Sequence, residues 1–280
     1  MPFTDVKGVR TFYEEYGDPT NNKHVLFIHG LGDSSATWSD IPDALSKYFH
    51  TITVDLIGFG ESDKPEKADY YTIKGFSKFI VDFLQRIGIK EDKEHQHNNN
   101  NKKISIVGYS LGVHIAAKVT IENKEIIEKL VLIGATGLLK EPTQWLKDYR
   151  NAATEANPLT RYEKITRVFE DMYARPSILL PVVVDLFDYT IEKPGAKYAF
   201  EVAFHNTTTT QIEPEGFKKI EDIPCLIIRG EKDNVPPIEY YERFRQNLPN
   251  AQFEEIADAG HSLIDEKTAL VYEKLRTFLS

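Results

Sequence analysis

Three residues far apart in the chain, Ser110, Asp233 and His261, have side chains that together could carry out a nucleophilic displacement. A serine hydroxyl is a weak nucleophile near neutrality. It needs a base beside it and hydrogen-bond donors for the oxyanion that develops on the substrate. Ser110 stands in "GYSLG", with Gly108 two residues before it and Gly112 two residues after. Small residues at those positions are what a tight, strained turn requires. The β-branched run "ISIV" before the motif predicts a buried strand, and "LGVHIAAKV" in and after it predicts a packed helix. The serine is thus raised at a strand-to-helix turn, with the Leu111 backbone N–H directed along the helix start as one oxyanion donor.

Other stretches supply partners. In "FIHGLGDSSATW" (27–38), Gly30 lets the backbone come close, and the Leu31 N–H is expected as the second donor. "DLIGFGES" (55–62) ends another strand-like run in a glycine turn. "IIRGEKDNVPP" (227–237) places Asp233 just after a strand, and "ADAGHS" (257–262) places His261 in the loop after the last one. Parallel strands bring such loops to one edge of a sheet. Asp258 lies three residues before His261 and could reach it only by a sharp bend, so it reads as a solvated loop residue. His114 reads as a packed helix residue, Arg229 as half of an ion pair, and His205 as a residue away from substrate. His29, Gly30 and Tyr109 near the serine, with Trp145 and Phe187 from farther along, are expected around the substrate; for His29 the backbone matters more than the ring.

The elements that must position these groups follow from hydrophobic patterning. Apolar runs at 24–30, 51–58, 103–110, 129–136, 225–233 and 251–258 predict strands, most of them buried on both faces of a mostly parallel sheet. Residues 72–88, 238–248 and 268–279 carry apolar residues at helical spacing. This alternation predicts a doubly wound α/β fold, with "FTDV" and "VRTFYEEYG" as an edge hairpin. Two segments break the rhythm. "KEDKEHQHNNNNKK" (90–103) is polar and of low complexity and predicts a solvated loop; His95 and His97, two apart and without cysteine, do not make a metal site. Residues 137–216 are too long for a loop and rich in large apolar groups, with helices expected over 142–154, 161–174, 176–189 and 194–205. They read as an inserted helical subdomain, leaving 1–136 and 217–280 as the core domain.

Composition bounds the function. Of 280 residues 41% are hydrophobic, enough for a sizeable core, and the single cysteine, Cys225, excludes a disulfide framework. A formal net charge of −9 argues against a nucleic-acid partner. No run approaches the roughly 20 apolar residues of a membrane span, and the N-terminus lacks signal-peptide features, so the expected location is cytoplasmic. Monomer and dimer are both open.

The ordered block "HGLGDSSATW … DLIGFGESDKP … GYSLG … GEKDNVPP … AGHS" resembles the capped branch of the α/β-hydrolase superfamily, which includes esterases, lipases and meta-cleavage-product hydrolases. The resemblance spans essentially the whole chain. It implies Ser110 as nucleophile, His261 as base and then acid, Asp233 as its orienter, and 137–216 as a cap over the substrate. It implies the Leu31 and Leu111 N–H groups as the oxyanion hole. No cofactor and no metal are implied. Two departures are Val113, where many relatives have a small residue, and Asp33, which disfavours anionic substrates. The function expected is a carboxylesterase acting on small uncharged esters of short to medium chain. The alternatives are a C–C bond hydrolase, which wants a cap arginine such as Arg150, Arg161, Arg167 or Arg175, and a slow-turnover receptor on the same fold.

Overall fold

The computed structural model describes residues 2–90 and 102–280; most of the polar stretch, including His95 and His97, lies outside them. Its first residue, Lys90, is buried, with its ammonium on Asn123 Oδ1, and so is not part of a solvated loop.

Strands β1 (Phe3–Val6) and β2 (Val9–Tyr16) form the expected antiparallel edge hairpin. Its two-residue turn, Lys7-Gly8, has φ of +53° and +86°, which matches the twist of the flanking strands. Then come β3 (His24–Ile28), β4 (His50–Val54), β5 (Ile104–Tyr109), β6 (Ile127–Ile133), β7 (Cys225–Gly230) and β8 (Gln252–Ile256), in the spatial order β1-β2-β4-β3-β5-β6-β7-β8. From β4 through β8 neighbouring strands in that order run parallel. Each strand is shorter than the apolar run that predicts it, because the last residues of each run leave the ladder as loops.

Residues alternate between two apolar layers. In β3, Leu26 and Ile28 join one layer with α2 (Ile73–Arg86) and α3 (Leu111–Glu122). Val25 and Phe27 join the other, with α1 (Ile41–Leu45) and, at the end of the chain, α10 (Leu263–Glu266) and α11 (Thr268–Leu279). Both faces are covered, so the strands are apolar throughout. Because β3 is followed by β4 on one side and β5 on the other, the loops after β3 and β5 diverge and open a crevice at the carboxyl edge.

Between β6 and β7 lie α4 (Gln144–Ala153), α5 (Pro158–Glu170), α6 (Leu180–Ile191), α7 (Ala196–Thr207) and α8 (Pro214–Ile220). Prolines in the first turn set the start of α5, α6 and α8, since proline has no N–H to lose there. The Thr143 and Asn157 side chains cap α4 and α5 by accepting from Leu146 N and Thr160 N at 3.2 and 3.0 Å. The helix expected over 176–189 therefore starts later, at Leu180, and the one expected from 161 starts earlier. Helix α8 straddles residue 216 and packs on α3 and on α9 (Ile238–Asn247). Among the described residues no helix is long and apolar enough to cross a membrane.

Candidate active site

Ser110 sits between β5 and α3 with φ +52° and ψ −116°, a conformation that costs a non-glycine residue free energy and persists only where its surroundings enforce it. Three hydrogen bonds do so. Ser110 N donates to Ile133 O at 3.0 Å, while Ser110 O accepts from Val113 N at 2.9 Å and Thr136 Oγ1 at 2.6 Å. The flanking glycines are needed for space: a Cβ on Gly108 would strike the Gly112 carbonyl, and one on Gly112 the Ile28 carbonyl. Val113 is fully buried.

His261 and Asp233 meet as a buried pair, Nδ1 to Oδ2 at 3.0 Å. Val235 N donates to Asp233 Oδ1 and the Tyr241 hydroxyl to Oδ2, each at 3.0 Å. A carboxylate that accepts from Nδ1 places the imidazole proton there and leaves Nε2 as the acceptor. Gly134, with φ +62°, makes room for the ring; a Cβ there would lie 2.9 Å from His261 Cε1. Asp258 is turned away to Lys232 at 2.8 Å and Arg175 at 2.9 Å, and these cations hold its carboxyl below its usual range.

The Leu31 and Leu111 N–H groups donate to no protein acceptor among the described residues. Gly30 brings the Leu31 loop against the serine, its Cβ position only 3.2 Å from Ser110 Cβ. The His29 ring braces this loop from beneath. Nε2 accepts from Leu56 N at 3.0 Å, so Nδ1 donates to Gly30 O at 2.8 Å, and burial pushes the imidazole pKa down. That ring is therefore spent inside the fold and does not line the cleft, unlike the expectation that grouped it with the pocket. Asp55 ties the neighbouring turns together, accepting from Ser35 N and Glu61 N at 2.7 Å each.

Ser110 and His261 share one cleft of about 970 Å³, its solvent-open mouth included. Gly30 and Tyr109 line it beside them, and Trp145 and Phe187 line it from the helices between β6 and β7. The inserted aromatics stack on Tyr149, whose ring centroid is 5.2 Å from Trp145, 5.6 Å from Phe169 and 5.7 Å from Phe187. The Tyr149 hydroxyl donates to Leu31 O at 2.9 Å, so the inserted helices hold the loop that carries Leu31 N–H. Two carboxyls also line the cleft, Asp33 and Asp265. Burial pushes the Asp33 pKa up to about 7, with the Asp265 charge adding to the rise. Burial also raises Asp265, which accepts from the Tyr173 hydroxyl at 3.0 Å. No lysine or arginine is among the described lining residues. Arg150 pairs with Glu201, Arg161 with Asp188 and Glu192, and Arg175 with Asp258. His205 is exposed and lies 3.1 Å from Glu201.

Tyr149, Tyr241, Thr136 and Asp265 were invisible as site residues in the sequence. Tyr241 follows Asp233 by eight residues and Tyr149 precedes nothing of chemical interest, so no spacing rule finds them. Of the two carboxyls in the cleft, only Asp33 stands next to a motif, directly after "HGLG".

The family described as alpha/beta hydrolase fold matches residues 23–268. Uncharacterized hydrolase YugF of Bacillus subtilis (strain 168) is 25% identical over 98% of this chain and 96% of its own. The 2-hydroxy-6-oxo-6-(2'-aminophenyl)hexa-2,4-dienoic acid hydrolase of Metapseudomonas resinovorans is 24% identical over 92% of this chain and 83% of its own. The solved esterase of Exiguobacterium antarcticum superposes with a TM-score of 0.80 at 21% identity, covering 98% of this chain and 97% of that one, a likeness of fold alone.

Proposed function

The chain belongs to the α/β-hydrolase fold family, and from that premise we propose that it is a serine hydrolase of small uncharged carboxylic esters. The observation that carries this reading is the strained Ser110 opening onto the same cleft as a buried His261–Asp233 pair whose Nε2 is left to accept a proton. Ser110 Oγ attacks the ester carbonyl carbon while His261 Nε2 takes the hydroxyl proton. The carbonyl π electrons move onto oxygen, where the Leu31 and Leu111 N–H groups receive the charge. Collapse of the tetrahedral species breaks the C–O bond, and the leaving alkoxide takes the proton from His261. Water then attacks the acyl-serine by the same route and releases the acid. Asp233 stays ionised throughout, fixing the tautomer and stabilising the imidazolium. The inserted helices act as a cap that roofs the cleft and braces the Leu31 loop.

The lining favours an ester over the vinylogous diketone acids of C–C hydrolases. Such an acid brings a carboxylate into the cleft, and the cleft meets it with Asp33 and Asp265 and no cation among the described residues. The test is turnover of neutral p-nitrophenyl esters beside a meta-cleavage product, in wild type and Ser110→Ala. Wild type is expected to cleave the esters and Ser110→Ala to cleave nothing while keeping its fold, with a fluorophosphonate probe labelling Ser110 alone. Cleavage of the meta-cleavage product without any ester overturns the ester reading, and activity in Ser110→Ala overturns the serine.

A further inference from the structure

A second, smaller pocket shares Ser110, Leu31 and Leu146 with the main cleft and measures about 360 Å³, its opening included. His114 lines it, one helical turn beyond Ser110 on α3. The side chain is only 3% exposed, yet neither ring nitrogen has a hydrogen-bond partner among the described residues. The ring opens onto the pocket with its hydrogen-bonding capacity unspent on protein, so a polar ligand beside the nucleophile would find a partner there. Burial pushes the His114 pKa down to about 3, which keeps the ring neutral, with one N–H donor and one bare nitrogen.

The rest of the pocket sets what that ligand can be. Thr136, Thr207 and Thr208 also line it, and each has given its hydroxyl proton to a backbone carbonyl: Ser110 O at 2.6 Å, Ala203 O at 2.7 Å and Phe204 O at 2.8 Å. Their oxygens can therefore only accept. Beyond the Leu31 and Leu111 N–H groups, which the carbonyl oxygen takes, the pocket offers one side-chain donor among several acceptors and no positive charge, which suits a hydroxyl group that both gives and receives. It does not suit a carboxylate, which brings no donor and needs several. The two arms of an ester are also distinguished. A leaving oxygen must reach His261, which lines the larger cleft and not this pocket; Leu111, the expected oxyanion donor, lines this pocket and not the cleft. The leaving arm then occupies the cleft and the acyl arm the pocket.

We propose that this pocket is the acyl subsite, resting on the serine esterase reading above, and that His114 selects short acyl groups bearing a hydroxyl. The experiment compares kcat/KM for p-nitrophenyl 3-hydroxybutyrate with p-nitrophenyl butyrate, and for glyceryl butyrate with propyl butyrate, in wild type, His114→Leu, His114→Gln and Thr208→Val. Wild type is expected to favour the hydroxyacyl ester about three- to tenfold, the order of one neutral hydrogen bond. His114→Leu loses that preference, the ratio of the two rates falling to about one. His114→Gln, which keeps a donor and an acceptor, restores part of it, and Thr208→Val weakens it. Fluorophosphonate labelling of Ser110 and the thermal midpoint certify each variant. Should a leucine not be accommodated there, the glutamine and valine variants carry the test. A preference unchanged by any variant overturns the subsite, as does one found on the glyceryl arm alone. A uniform fall for every ester in His114→Leu, with labelling intact, overturns it in favour of a role toward water. Absence of labelling and of all ester cleavage in wild type instead defeats the serine esterase reading itself.

Discussion

Asp233 holds three donors at once, Val235 N, the Tyr241 hydroxyl and His261 Nδ1, and this satisfies a carboxylate that is otherwise buried. Asp258, three residues before the histidine, faces two cations at the surface instead. Replacing Asp233 with asparagine allows the amide to donate, which favours the wrong imidazole tautomer, and kcat is expected to fall by ~10⁴, as in comparable triads. Asp258→Asn removes only exposed ion pairs, so kcat is expected to stay within about threefold of wild type. Steady-state kinetics of the two variants decide between the carboxylates; the reverse ranking refutes the assignment. Asp33 gives a pH signature at the same scale. Its pKa of about 7 means that it is neutral below that pH and charged above it. The ratio of kcat/KM for a carboxylated ester to that for a neutral ester of equal size is expected to drop as pH rises from 6 to 8. The drop is about fivefold, the order of ~1 kcal/mol between unit charges near 4 Å in a watery site. Asp33→Asn should flatten the ratio, and taking a ratio cancels the titration of groups common to both substrates.

The strand-to-helix turn, the Leu31 loop and the inserted helices work as one assembly. Gly32, at φ +73°, packs so closely beneath Tyr149, Phe187 and Phe200 that a side chain there would run into them. Glu266 joins the other rim, accepting from Gly260 N at 2.6 Å beside the histidine and from Ala174 N at 2.8 Å in the segment between α5 and α6. With both rims tied to the inserted helices, the cleft is bounded rather than an open groove. For p-nitrophenyl esters, kcat/KM is therefore expected to climb from acetate to butyrate by up to about fourfold per methylene, corresponding to ~0.8 kcal/mol of buried CH₂. It should fall again for longer acyl chains. A series from C2 to C16 measures this; a continuous rise to the longest chain would show that the inserted helices move aside.

At the scale of the whole molecule, four buried histidines among the described residues, His24, His29, His50 and His114, resist protonation. His24 and His50 begin β3 and β4, with their Nδ1 atoms 2.9 Å apart, so one ring must donate and the other accept. Burial lowers all four: His24 to about 4, His114 to about 3, and His29 and His50 below their ordinary value, with Lys102 adding to the fall at His24 and His50 and Glu15 opposing it at His50. Unfolded histidines titrate near ~6.5. Between that pH and about 4 the unfolded chain binds protons that the folded chain refuses, so unfolding becomes easier as pH falls. Asp33 acts in the opposite sense, because its raised pKa makes the folded state the better proton acceptor between about 4 and 7. Asp265, also raised by burial, acts in the same sense, and two carboxyls against four histidines leave a net loss. The thermal midpoint is expected to decline steadily below pH ~6.5, and a His24→Gln, His50→Gln double variant to show a shallower decline. An unchanged slope in that variant would place the acid sensitivity elsewhere.

The sequence alone determined the strand-helix rhythm, the edge hairpin, the glycine-flanked turn at Ser110 and the inserted helices. These depend on periodicity and on sterics acting within a few residues, which every local window of the chain records. It also carried the order Ser110, Asp233, His261, because each follows an apolar run, and parallel strands send the residues after them to one edge. The tertiary structure decided the rest. That the His29 ring braces a loop instead of facing substrate depends on Leu56, in the next crossover. That Tyr149 holds the Leu31 carbonyl depends on a contact across 118 residues. That Lys90 is buried depends on Asn123 at the end of α3. Whether His114 is merely packed or also opens onto a pocket turns on α7 and the segment after β6, where the threonines around it lie. Such pairings leave no period or motif, because side chains brought together by packing are chosen for shape and hydrogen-bond complement at one point in space, and the chain can supply them from any position.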